Sequence, residues 1–386
     1  MSKNNENKLV PRLRFPEFVN EREWNEKPFE RFCLSISSGK DKNIIDGVYE
    51  LYGSTGIIGR AENASYNGDF ILVARVGANA GLLNKVQGKF GVTDNTLVVD
   101  LIKKDLIDFI FYSLDKVGLN KLVFGSGQPL ITGGQLKSLL LSTPHSEQEQ
   151  QKIAACLSSL DEVITAESQK LELYQQHKKG LLQNLFPNSL NCDSQGLNDE
   201  HDFSKVPKLR FPDFEMSEWE VKELGSLCIN VFSGKDKNID GGEYKLYGST
   251  GIIGKTENAS YEGNFILVAR VGANAGLLNK VTGKFGVTDN TLVIDLLNKD
   301  SVNFIFYSLE SFGLNKLVFG SGQPLITGRQ LKGFLLSIPC SESEQQKIAL
   351  CLSSLDDLIN AQRQKIELLK QHKKGLLQGL FPPINN

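Results

Sequence analysis

The side chains able to do chemistry in this sequence are scattered rather than clustered. Four histidines, His145, His177, His201 and His372, share no metal-ligand spacing, and no HExxH pattern occurs. Six cysteines, at 33, 156, 192, 228, 340 and 351, form no CxxC pair, which argues against both a zinc site and a disulfide scaffold. Gly254-Lys255-Thr256 nearly completes a phosphate loop, but its leading position is Ser249 instead of glycine. Pro339-Cys340 would present a thiol nucleophile, yet the closely similar segment of the first half reads Pro144-His145. No catalytic and no metal-binding residues are therefore expected.

What the sequence does present is polar side chains in glycine-punctuated loops. Lys40 and Lys42 stand in SGKDK, Ser54 and Thr55 in YGSTG, and Arg75 and Asn79 in ARVGANAG, while Lys121 and Gln128 bracket a GSG turn. Lysines and hydroxyls beside glycines suit phosphate oxygens, since glycine lets a backbone approach closely. Arginine and asparagine are the types that grip guanine and adenine edges with two hydrogen bonds. The same set recurs as Lys235, Lys237, Ser249, Thr250, Arg270, Asn274, Lys316 and Gln323. Residues of these types could reach DNA phosphates or base edges in both sets. The plainer alternative is a turn or scaffold role; Arg75, at the end of an apolar run, also reads as a buried structural arginine. The charge balance is against strong DNA binding by this chain alone. Residues 29–145 carry 12 Lys+Arg against 11 Asp+Glu, residues 224–340 carry 11 against 9, and the net charge is −2. Such neutrality lacks the usual basic footprint, so any DNA bound here would need much of its phosphate charge neutralised by other chains.

The elements that must position these loops come in two copies. FILVARVGANAGLLNKV at 70–86 returns letter for letter at 265–281, and 29–187 matches 224–382 at 117 of 159 positions without an indel. A period this long is a duplicated domain, because solenoid repeats are far shorter. Within each copy, strand-like runs such as FILVARV and NTLVVDL alternate with glycine turns, and DLIDFIFYSLDKV reads as a helix. This predicts a mixed α/β globule. Ser146-x-x-Glu149 and Ser341-x-x-Glu344 then read as capping boxes opening long helices.

Heptad steps follow, through Ile153, Leu157, Leu160, Ile164 and Leu171 in one copy and Ile348, Leu352, Leu355, Ile359 and Ile366 in the other. A 3.5-residue period predicts a coiled-coil seam, broken by polar Glu167, Lys178, Gln362 and Lys373. The alternative is a helix packed on its own domain, but some 40 residues make a rod of about 60 Å. Two matched rods should pair with each other, and the polar linker 188–206 favours the antiparallel sense. The expected fold is α+β: globule 1–145, helix 146–187, linker 188–206, globule 207–340 and helix 341–386, a tandem repeat with pseudo-two-fold symmetry. Forty per cent hydrophobic content, an N-terminus without an apolar run and no long apolar window point to a cytoplasmic protein.

These parts, in this order, resemble the specificity subunit of type I restriction–modification systems. The resemblance rests on RLRFPEF followed by Trp24, the globule SGKDK…YGSTGIIG…ARVGANAG…DNT…GSGQPLITG, and P-x-S-E-x-E-QQKIAxxLSSLD leading into a helix that ends KKGLLQxLFP. It covers nearly the whole chain. It implies two target-recognition domains separated by two long helices, holding methyltransferase subunits, with restriction subunits added. It further implies that this chain reads double-stranded DNA without performing chemistry, while S-adenosylmethionine, ATP and magnesium belong to the partners. Family members usually carry dissimilar recognition domains, whereas these two are near copies; an interrupted palindromic target is therefore expected. The alternative function is a free-standing DNA-binding regulator that dimerises through its helices.

Overall fold

In the computed structural model of the chain, residues 9–123, 129–187, 206–318 and 324–383 are described. By contact the chain forms two units, residues 1–168 with 364–386, and residues 169–363. Each long helix is thus shared, its first part belonging to one unit and its last part to the other.

The first unit holds β1 (Asn25–Pro28), β2 (Cys33–Ser38), β3 (Tyr49–Gly53), β4 (Gly56–Ala61), β5 (Tyr66–Ala74), β6 (Leu83–Val92) and β7 (Thr96–Leu101). It continues through α1 (Ile107–Val117), α2 (Gly133–Ser138), β8 (Leu140–Thr143) and the start of α3 (Glu147–Leu185). Six strands form one sheet in the order β2-β7-β5-β6-β3-β4, and β1 pairs separately with β8. The second unit repeats this with β9 (Trp219–Glu223), β10 (Cys228–Ser233), β11 (Tyr244–Gly248), β12 (Gly251–Thr256), β13 (Tyr261–Ala269), β14 (Leu278–Val287) and β15 (Thr291–Leu296). Its remaining elements are α4 (Val302–Phe312), α5 (Gly328–Lys332), β16 (Leu335–Pro339) and the start of α6 (Glu342–Leu380). Among the described residues no helix is long and apolar enough to cross a membrane.

The unbroken apolar run of β5 reflects burial on both faces. Ile71 and Val73 face the core under α1, while Phe70 and Leu72 face a second cluster with Val86, Phe90, Val92 and Val98. That second cluster requires the sheet to curl. Phe90 of β6 pairs with Tyr66 at one end of β5, and Thr96 of β7 pairs with Ala74 at the other. The ends of β5 would lie about 26 Å apart if flat. The four residues from Val92 to Thr96 span at most about 14 Å. The ribbon therefore bends, and it does so at Gly68 and Gly88, which face each other with φ of 128° and 97°.

Each long helix opens under an ion pair. Glu149, expected to complete a capping box, instead receives both Nε and Nη2 of Arg14 at 2.8 Å. Glu344 takes Nε and Nη2 of Arg210 in the same way, at 3.0 and 2.7 Å, and also accepts from the Trp219 indole at 3.3 Å. Glu149 and Glu344 are 1% exposed, so each RFP segment clamps the first turn of its helix. The Glu149 carboxylate, by bonding the guanidinium, raises the pKa of Arg14. Of the predicted box, only the Ser146 hydroxyl acceptor for the Glu149 amide is found in the first copy, at 3.4 Å.

The helices pair antiparallel within each unit. In the first, Lys365 bonds Glu167 at 2.5 Å and Lys373 bonds Asp161 at 2.7 Å, so one helix advances as the other retreats. In the second, Lys178 bonds Asp356 at 2.8 Å. Three of the four polar interruptions of the heptad pattern, Glu167, Lys178 and Lys373, are thus members of cross-helix ion pairs, and the fourth, Gln362, is buried. Ile359 and Ile366 are buried, and Leu160, Ile164 and Leu171 are half-buried. The seam, however, serves two partners. Ile153 and Leu157 lie in the first globule's core, and Ile348 and Leu352 in the second's. The first core is also completed by Leu380 at the end of α6 and Phe381 just after it, the second by Leu185 at the end of α3 and Phe186 just after it. Phe381 sits 5.8 Å from the Trp24 ring and 5.6 Å from that of Phe109, and Phe186 sits 5.5 Å from Phe304.

Replacing Phe381 by alanine should cost about 3–5 kcal/mol, the usual loss for a buried phenylalanine. Hydrogen exchange should then rise across α1 and leave α4 protected, and Phe186→Ala should reverse the pattern. Equal deprotection of α1 and α4 by either substitution would contradict separate closure of the two cores.

Candidate nucleic-acid interface

The loops singled out by sequence converge on one rim of each curled sheet, tied together by the turn between β6 and β7. Thr93 donates its amide to Tyr52 at 3.0 Å, Arg75 to Asn95 at 2.9 Å, and Gly39 to Thr96 at 3.1 Å. These bonds draw Lys40, Lys42, Ser54, Thr55, Arg75 and Asn79 around a single segment, 93–96. In the second unit Thr288 donates to Tyr247, Arg270 to Asn290 and Gly234 to Thr291, at 3.0, 2.9 and 3.1 Å. That gathers Lys235, Lys237, Ser249, Thr250, Arg270 and Asn274 in the same way.

Asp41 explains why the two lysines beside it are free to point outward. Its carboxylate accepts the Val92 amide at 2.7 Å and the Ser65 hydroxyl, and its own amide donates to the Val92 carbonyl at 2.9 Å. Lys40 and Lys42, on either side of this anchor, are exposed. Asp236 holds Val287 and Ser260 identically between Lys235 and Lys237. Gly39 is required here, since a Cβ on it would lie 2.1 Å from the Val92 carbonyl oxygen. Ser54 and Thr55 form the tip of the β3–β4 hairpin, with Gly53 paired to Gly56. Thr55 is exposed and Ser54 half-buried.

Asn79 and Asn274 are exposed, whereas Arg75 and Arg270 are half-buried. The Nε atoms of both arginines are enclosed, with no hydrogen-bond partner among the described residues. Lys121 is exposed in a 3-10 turn, Leu119–Leu122, beneath the 75–82 loop, and Lys316 occupies the matching turn Leu314–Leu317. Gly81 makes that contact close: a Cβ on it would lie 2.5 Å from the Asn120 amide nitrogen. Gln128 and Gln323 lie outside the described residues.

Sequence reasoning passed over Asn43 and Asn238. Each side-chain oxygen accepts a backbone amide of the neighbouring hairpin, from Arg60 and Lys255 respectively, both at 3.1 Å. Gly59 and Gly254 leave room for them, which is the physical reason that GIIG follows the turn. Asp94 and Asn95, exposed at the centre of the rim, were likewise not singled out. Aromatic packing stiffens the rim from below, with Tyr66 stacked on Phe90 at 5.7 Å and Tyr52 edge-on to it at 5.6 Å. Burial, aided by the Glu50 carboxylate, pushes the Tyr52 phenol up to about 12. Burial also pushes the Cys33 and Cys228 thiols up to about 12 and 11, which suppresses thiolate at neutral pH. Among the described residues no group of three His, Cys, Asp or Glu side chains could hold a metal ion.

A family model described as the type I restriction modification DNA specificity domain matches this chain twice, at residues 31–174 and 216–371. The specificity subunit of the type I restriction enzyme EcoprrI from Escherichia coli is 33% identical over 114 residues, covering 30% of this chain and 28% of that subunit. The MjaVIII specificity subunit of Methanocaldococcus jannaschii is 26% identical over 355 residues, covering 82% of this chain and 79% of the relative. A crystal structure of a type I restriction–modification S subunit from M. genitalium aligns with a TM-score of 0.68, covering 98% of this chain and 100% of that one. At 17% identity that likeness speaks for the fold.

Asp41→Ala should cost about 1–3 kcal/mol by leaving the Val92 amide without its acceptor. Lys40→Ala, a surface change, should stay within about 0.5 kcal/mol. Thermal melts together with amide exchange at 39–43 and 92 test this, and equal effects of the two substitutions would deny Asp41 its anchoring role.

Proposed function

This chain belongs to the family of type I restriction–modification DNA specificity proteins, and from that membership we propose that both of its rims read DNA. In this reading the chain is the specificity subunit of a complex with methyltransferase and restriction subunits. Lys40, Lys42, Lys121 and their counterparts take phosphates, and Asn79, Arg75, Ser54 and Thr55 with theirs take base edges. The chain performs no chemistry itself; S-adenosylmethionine, ATP and magnesium act on the partner subunits, in the cytoplasm. The observation that carries this reading is the coincidence of the twice-matched family domain with two loop rims of the same construction. The near-neutral globules support a reader that depends on partners for affinity. The relatives named above are all specificity subunits, which leaves the free-standing regulator without support.

Two readers with the same loops should recognise the same short sequence on opposite strands, giving an interrupted palindrome with adenine methylated in both halves. Methylome sequencing of a host with and without the gene tests this, and two unrelated half-sites would refute it.

Replacing Lys40 and Lys42 together by alanine, in the complex with the methyltransferase subunit, separates two roles. Loss of phosphate contacts weakens binding at every sequence and flattens the salt dependence by about 0.9 per contact, whereas loss of base reading relaxes one position. Unchanged binding and unchanged specificity would remove these lysines from the interface.

A further inference from the structure

The two rims match, but the grooves beside them do not. In the first unit a groove of about 640 Å³ is lined by Lys116, Lys121, Lys370, Lys373 and Lys374, with Asp115 as its one acid. Three chain segments build it: the end of α1, the turn after it, and the last turns of α6. Lys370, Lys373 and Lys374 share one helix face by their spacing of three and four. Lys373 is committed to Asp161 at 2.7 Å, whereas Lys121, Lys370 and Lys374 are exposed. Burial first, and then the neighbouring charges of Lys121 and Arg12, push the Lys116 ammonium below its ordinary pKa. Cations are thus gathered here against their mutual repulsion, and a bound anion would relieve that repulsion.

The equivalent positions in the second unit are Ser311, Lys316, Gln175, Lys178 and Lys179, with Glu310 in place of Asp115. Two of the five cations are missing. Of the remainder, Lys178 is held by Glu310 at 2.9 Å and Asp356 at 2.8 Å. Among otherwise near-identical copies, Lys116 against Ser311 and Lys370 against Gln175 are therefore the substitutions that set the charge of the groove.

We propose that the first unit's groove is a binding site for DNA backbone phosphates, and that its counterpart in the second unit is a weaker one. The two half-sites would then be read by the same loops and gripped unequally. This rests on the reading of the rims as DNA interfaces. The backbone is favoured as the source of phosphate because the groove starts where the rim ends. Lys121 follows Asn120, whose amide lies directly under Gly81 of the 75–82 loop.

The test exchanges residues that the chain already carries at matching places, so packing is respected. Lys116→Ser with Lys370→Gln is made in the full chain, and Ser311→Lys with Gln175→Lys in a second full chain. Binding to a short duplex of arbitrary sequence is followed by fluorescence anisotropy across a salt series, with thermal melts confirming the fold. The first variant should bind more weakly at low salt, with a log–log salt slope shallower by up to about two, and the second should steepen it. Slopes unchanged in both variants would overturn the proposal. Inorganic tripolyphosphate provides the other arm. If it shifts the wild-type lysine resonances and the first variant abolishes those shifts, while the DNA slopes stay put, the groove is a small-polyanion site and the backbone assignment fails. A separate outcome bears on the rims alone. If the slopes change as expected but the complex with methyltransferase subunits fails to prefer its methylated target over scrambled DNA, the rim reading fails and the groove stands.

Discussion

Neither globular core closes with the residues of its own repeat. The first needs Leu380 and Phe381, which the chain delivers only after the second globule has been made, and the second needs Leu185 and Phe186 from the helix that leaves the first. A phenylalanine packed against tryptophan and phenylalanine buries a large apolar area at fixed geometry. Each long helix is therefore pinned twice, by Arg14 or Arg210 at its start and by an aromatic plug at its end. Antiparallel pairing follows from that arrangement. A helix that starts on one globule and must end in the other can satisfy both contacts only by running opposite to its twin. Between the plugs, Asp161 with Lys373 and Asp356 with Lys178 hold the register, and each aspartate also accepts the hydroxyl of a core tyrosine, Tyr112 or Tyr307, at 2.7 Å. The same carboxylate thus ties globule, first helix and second helix at one point.

The rim is organised on a different principle, because many of its polar side chains are left exposed. The anchoring is done by residues of little chemical promise: a glycine against a carbonyl, an aspartate on a backbone amide, an asparagine reaching across a hairpin. These fix the backbone and leave lysine, threonine and asparagine side chains exposed on a stiff support. Such preorganisation lowers the ordering cost of binding. It also accounts for the identity of the loops in the two copies, since the anchors and the presented residues share a few tightly packed positions.

The sequence disclosed the duplication, the strand runs and the loop set, because these depend on local pattern: alternation, glycine punctuation and repetition. It disclosed less where a residue's partner lies far along the chain. Glu149 sits in a proper capping-box position, yet a distant arginine outcompetes the helix amides for its carboxylate. The heptad pattern was legible as a seam, but periodicity cannot say which protein surface an apolar stripe meets, and here the stripe meets a helix in its middle and a globule at each end. Arg75 illustrates the limit for side chains. Its type suggests a base contact and its place at the end of an apolar run a buried structural role, and the fold encloses its Nε. The basic groove was invisible for the same reason, since Lys116 and Lys370 are distant in sequence and each, read alone, is an ordinary surface lysine.

Duplication explains where the two copies can drift apart and where they cannot. The plug segments LLQNLFP and LLQGLFP differ at one position, and each must fit a core built by the other copy. A change in Phe186 acts on a cavity formed by Trp219 and Phe304, so plug and socket in a single repeat are never in contact with each other. Coordinated change would require two distant substitutions at once, and a single one leaves a void or an overpacked core. Both plug and socket are thereby held to a common shape. Exposed positions escape this coupling. Ile45 and Val48, largely exposed between β2 and β3, have become Asp240 and Glu243, and Lys116 has become Ser311. Solvent-facing charge is thus free to diverge and alters the field around each globule, while the core outside the plug sites diverges by repacking, with Phe29, Val117 and Leu139 of the first matched by Leu224, Phe312 and Phe334 of the second.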